Sequence, residues 1–287
     1  MGALRFWRLV LVDTVSFGAA VSVLVVASAA GRLTLAAVLG AIAAGQTAAC
    51  VTALACLPRD ERSRPRPVSG GVREVLAFGT WRALQQFVRP TTLNLCRWLV
   101  LLAAGAAAVG QLEAARLVVA PAMLLVQGLG SYLFASYAAD RSESSSALLD
   151  RADRAAAVML GGALVVTAVV ATALPVLEPL LGAGYHLPIA AVLGWGWYAG
   201  SCAAVLPYGS LAAVRGRQAA VLGFRAADAA LALALVALVV PVLGGSPDAA
   251  PWLLAGGSFV GGLLCRQLLL QPLTTAPPCR SPREVAV

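Results

Sequence analysis

Apolar runs long enough to cross a bilayer recur eight times along this chain, and that recurrence leaves few architectures open. They fall at about 9–30, 33–57, 87–109, 117–139, 155–176, 187–210, 226–243 and 252–271. A segment that crosses lipid must satisfy its own backbone, so runs of this length are read as helices. The expected fold class is an all-α, polytopic membrane bundle of about eight transmembrane helices. Composition agrees: 60% of the 287 residues are hydrophobic, 12% are charged, and mean hydropathy is +0.85. A soluble domain carries roughly twice that charged fraction. The first run ends in Ala27, Ser28 and Ala29, which resembles a signal-peptide cleavage site. It exceeds the ~7–15 residues of a signal-peptide core, so it is read as a retained helix.

Polar segments divide the runs. Residues 58–71, PRDERSRPRPVSGG, have the proline, glycine and charge density of a hydrated linker. A second polar loop is expected over 140–154, and the Pro-rich stretch from 272 to 287 is expected to be an unstructured tail. The resulting division is a helix pair over 1–57, a cytoplasmic linker over 58–80, a six-helix unit over 81–271 and the tail. Eight spans place the N-terminus, the linker, the 140–154 loop, the Arg215/Arg217/Arg225 turn and the tail on one side. That side collects seventeen of the twenty-one arginines, and there is no lysine. The positive-inside rule makes it cytoplasmic, with both termini inside. The net charge of +8 follows this topology and is no argument for a nucleic-acid partner.

The inventory of reactive groups is thin. The one histidine, His186, stands in a short loop beside Tyr185 and cannot build a His-based metal site. Six cysteines show no CxxC pair, and five lie in or beside apolar runs, where a free thiol acts as a small hydrophobe. No phosphate-binding glycine loop, nucleophile elbow, metal motif or cofactor motif is present, so the chain is not read as an enzyme. The arginines of the third run stand out instead. At about 100° per residue, Arg82, Gln86, Arg89 and Arg97 fall within an arc of roughly 80°. A charge at membrane depth marks a functional site by default, because it is costly anywhere but against a cavity or a partner. Arg82 and Arg89 snorkelling to the cytoplasmic face is the competing reading, but Arg97 lies deeper. Glu113 and Arg116 are three residues apart and can pair; Arg225 and Asp228 repeat that spacing.

Residues 109–138, VGQLEAARLVVAPAMLLVQGLGSYLFASYA, resemble a landmark of bacterial oligosaccharide and polysaccharide flippases. These belong to the multidrug/oligosaccharidyl-lipid/polysaccharide exporter superfamily, in which a "VGxYxAAR" turn leads through a Pro and "GL" to "PxYA". Leu181-Gly182-Ala183-Gly184-Tyr185 is similar to the family's "FGxxY". Leu206-Pro207-Tyr208-Gly209-Ser210 with Arg215-Gly216-Arg217 resembles the end of its tenth helix and the following turn. Together these pieces cover about 81–243. Two positions depart: Ala135 replaces a Pro, and Leu112 replaces the aromatic of the turn. The family has two six-helix lobes; aligned through the motifs, 1–57 matches the last helix pair of the N-terminal lobe and 81–271 the C-terminal lobe. The first four helices have no counterpart here.

The resemblance implies transmembrane translocation of polyprenyl-diphosphate-linked oligosaccharide for cell-surface polysaccharide biosynthesis, by alternating access, in the bacterial plasma membrane. It implies the lipid bilayer and a lipid-linked glycan as partners, and a homo-oligomer or a partner supplying the missing helices. Arg89 and Arg97 would hold the diphosphate, with Arg82 and Gln86 at the entrance and Glu113, Arg116 and Asp228 as further candidate residues. An inactive remnant or partner subunit, and a membrane-embedded polysaccharide polymerase, are the alternatives. Short external loops weigh against the polymerase.

Overall fold

The computed structural model describes residues 6–56, 71–140, 143–181 and 187–272. Among these residues there is no strand, and eight helical segments are long and apolar enough to cross a membrane. The protein is therefore a helical, multi-pass membrane protein. Its large apolar side chains are exposed all around the helices, Leu102 at 80% and Val158 at 70%, which lipid accommodates and water would not. His186, the linker core 57–70, residues 182–185 of the LGAGY motif and the tail from 273 onward lie outside the described residues.

The chain divides into two units, 1–71 and 72–287. The first is an antiparallel pair, α1 (Phe6–Ala29) and α2 (Leu35–Cys56). Gly45 lets α2 approach α1 so closely that a Cβ there would press on the Ser16 carbonyl. Arg8 Nη1 donates to the Cys56 carbonyl at 2.6 Å, capping the end of α2, where unpaired carbonyls favour a cation.

The second unit holds α3 (Gly71–Val118), α4 (Ala120–Ala139), α5 (Ser145–Leu181), α6 (Ile189–Val214), α7 (Gln218–Ala237) and α8 (Ala250–Leu264). Short π-helical turns extend α7 over Leu238–Val242 and α8 over Cys265–Leu270. α6 is the centre: α4, α5, α7 and α8 all pack on it, and most of its residues are buried. Its glycines make that packing possible. At Gly196 a Cβ would overlap the Thr167 side chain of α5.

α3 is two helices joined at Gly105, whose φ of 82° and ψ of 178° leave the helical region. Residues 97 and 113 stand eight positions either side of it and are bonded to each other, so the chain reverses there. In a straight helix they would lie roughly 24 Å apart. This corrects the expected spans: the third runs from Gly79 to the reversal at 105, and the next descends from 106 through α4. The break expected between the runs 87–109 and 117–139 is helical. The Ala-rich run 103–108 hides the reversal, because its single positive-φ glycine looks like any other small residue in the run. The loop expected over 140–154 is also shorter, since α5 already begins at Ser145. Leu148, Leu149 and Ala152 bury one face of that first stretch and leave its charges on the other. α4 continues through Ala135 without a break.

Candidate functional site

Two charged constellations are built on α3, and they face different ways. The inward face of its first arm is set by packing: Gln85, Thr92, Cys96 and Val100 are buried, at successive spacings of seven, four and four. Arg89 is four residues from Gln85 and three from Thr92, so it points inward too. Its guanidinium lies 5.4 Å from the centre of the Tyr198 ring of α6, and Nη2 donates to Met123 Sδ of α4 at 3.4 Å. A cation over an aromatic face recovers part of the hydration lost on burial.

Arg89 opens on a cavity of about 90 Å³ between α3, α6, α7 and α8. Arg225 and Asp228, one turn apart on α7, line it with Gln85, Tyr198 and Ser258. Two guanidiniums and one carboxylate give the lining a formal charge of +1. The carboxylate lies against α8, where Gly257 leaves it room: a Cβ there would reach Asp228 Oδ1. That oxygen accepts no hydrogen bond, and neither does Gln85 Oε1. Gln85 is 1% exposed and spends its amide N–H on the Gln218 carbonyl at 3.0 Å.

The second constellation ties the two arms of the α3 hairpin together. Glu113 Oε1 accepts from Arg97 Nε at 2.6 Å, and Oε2 accepts from Arg97 Nη2 at 3.0 Å. The same Oε2 accepts from Arg116 Nε at 2.9 Å and Nη2 at 2.7 Å. Arg97 Nη1 also donates to Asn94 Oδ1 at 2.6 Å. These side chains are about one-third exposed, so the cluster borders the bundle surface and again carries one net positive charge. Trp195 Nε1 donates to the Leu112 carbonyl at 3.0 Å and fixes the returning arm against α6.

The expected residues are thus sorted into two groups. Arg89 and Asp228 meet in the inner cavity; Arg97, Glu113 and Arg116 meet at the hairpin. Eight residues at 100° put Arg97 about 80° from Arg89 around the helix, enough to turn it off the buried face. Gln86 is exposed and outside the cavity, while its neighbour Gln85 is inside. Arg82 lies on α3, with its side chain outside the described residues.

Sequence reasoning also missed a polar network at the opposite end of the bundle. Arg266 grips Asp153 through two bonds of 2.9 and 2.6 Å, and Tyr208 donates to the same carboxylate at 2.8 Å. Arg151 bonds Asp140 at 2.8 Å and Ser136 at 2.6 Å. Asp153 and Arg266 are 113 residues apart, and no local spacing announces such a pair. Among the described residues no three His, Cys, Asp or Glu side chains gather as a metal site would require. Comparison of the chain with protein-family models, with curated proteins and with solved structures finds no match.

Proposed function

We propose that this protein carries a phosphate-bearing, lipid-linked glycan across the bacterial plasma membrane, the cargo being polyprenyl-diphosphate-linked oligosaccharide. The observation that supports the reading is Arg97: a guanidinium at membrane depth, partly exposed, held with Arg116 on one carboxylate so that one positive charge is left over. A diphosphate moving through the bilayer needs a replacement for its hydration, and a guanidinium fork donates two hydrogen bonds to one phosphate. Glu113 is saturated by protein donors, so its part is to hold the two arginines in place. Arg89 stands about 12 Å further along the same helix. Its cavity is too small for a glycan, since organic ligands occupy sites of roughly 300 Å³ or more. Arg89 therefore lies inside the bundle and takes no part in holding the headgroup. Release follows from alternating access between helix bundles, and no covalent step is needed.

Flux is tested with the full chain in liposomes, by following arrival of a lipid-linked oligosaccharide in the far leaflet. Arg97→Ala lowers the rate roughly 10–100-fold at equal amounts of inserted protein, the cost of one charged hydrogen-bonded contact. Arg97→Lys recovers only part, because an ammonium keeps the charge and loses the fork. Equal rates for wild type and Arg97→Ala overturn the proposal. Full activity of Arg97→Lys reduces Arg97 to a snorkelling side chain.

A further inference from the structure

We infer that the inner cavity binds a small oxyanion that carries one negative charge and keeps an acidic proton: dihydrogen phosphate, or the singly ionised phosphomonoester head of a lipid. Three properties of the lining select it. Charge comes first. Arg89 and Arg225 against Asp228 leave +1 inside a bundle that crosses the membrane, and a monoanion cancels it. Size comes second. About 90 Å³ is the share of roughly three water molecules, room for one tetrahedral oxyanion and not for a sugar.

The third property is the arrangement of donors and acceptors. The guanidiniums only donate. Asp228 only accepts, one of its oxygens has no partner, and rotation about its Cβ–Cγ bond presents either oxygen to the cavity. Gln85 Oε1 is a second buried acceptor without a partner, and the Thr92 hydroxyl already spends its proton on the Val88 carbonyl at 2.8 Å. A fully ionised oxyanion would set its oxygens against these acceptors. An oxyanion with a P–OH places its charged oxygens on Arg89 and Arg225 and donates its proton to Asp228. Sulfate and chloride have no such proton to give.

This ligand is not the headgroup of the transport reading, because a diphosphate esterified at both ends has both of its acidic hydroxyls ionised at neutral pH and is a dianion with no proton to give. The two readings rest on different residues and are tested by different measurements, binding here and flux there.

The test is equilibrium binding of radiolabelled inorganic phosphate to the full chain in nanodiscs of phosphatidylcholine, in neutral buffer, where dihydrogen phosphate is still abundant. Saturable binding is expected, with sulfate and chloride displacing the label roughly tenfold or more less well than unlabelled phosphate. Arg225→Gln abolishes binding. Asp228→Asn weakens phosphate and strengthens sulfate, since the new amide donates where the carboxylate accepted. Nanodiscs containing phosphatidic acid distinguish the sources. Loss of the phosphate signal there assigns the site to a lipid headgroup, and an unchanged signal assigns it to the soluble ion. Absence of saturable binding to the wild type overturns the inference, as does sulfate competing as well as phosphate. Neither result depends on whether a variant folds.

Discussion

Glu113 takes four hydrogen bonds from two guanidiniums, so its replacement leaves two charges facing each other. Glu113→Gln is expected to destabilise the protein by ~1–3 kcal/mol, discounted from a fully buried pair because these side chains are one-third exposed. Thermal unfolding of the full chain in mild detergent measures it. In the double variant Glu113→Gln/Arg116→Gln the remaining repulsion is relieved, and the loss is smaller than for Glu113→Gln alone. A double-mutant cycle then isolates the coupling. Asp153→Asn at the other end weakens a two-bond grip by Arg266 together with the bond from Tyr208, and a loss of similar size is expected from the same assay.

At the scale of elements, the hairpin in α3 depends on one residue. Gly105 occupies a region of backbone space that is essentially closed to side chains. Gly105→Ala is expected to cost ~1–3 kcal/mol in thermal unfolding, although nothing stands near enough to touch the added methyl. Gly110→Ala, in helical backbone five residues on, is expected to be neutral or stabilising by up to ~1 kcal/mol. Equal responses at the two positions would contradict the reversal at 105. The helices themselves were legible in the apolar runs, because spanning length is a strong signal. Their ends were not, since a reversal inside AAGAAA has the composition of a helix. The same limit applies to the site. The polar arc that joined Gln86 to Arg82 and Arg89 treated charge as the guide to the inward face, whereas the packed residues Thr92, Cys96 and Val100 set that face and bring in Gln85. Asp228 was visible as a charge within an apolar run; its companions Tyr198 and Ser258 come from distant helices and carry no mark in sequence.

For the whole molecule, three spans separate Ser145 at the start of α5 from Asp248 before α8, so the two must lie on opposite sides of the membrane. The distribution of arginines predicts that Ser145 faces the cytoplasm. Reporter fusions at the two positions are expected to give opposite signals, cytoplasmic at Ser145; the same signal at both would remove one span from the count. The central position of α6 has a further consequence. Within the second unit, α6 exposes very little surface, whereas the outer faces of the helices around it are exposed and available to lipid. A change in bilayer thickness therefore acts directly on the peripheral helices, which tilt to match it, and reaches α6 only through contacts such as Gly196 on Thr167. Transferred from short-chain to long-chain lipids, the protein would be expected to keep the amide exchange of α6 nearly constant while that of its neighbours changes, so that the helix behaves as an axle carried inside a deformable sleeve.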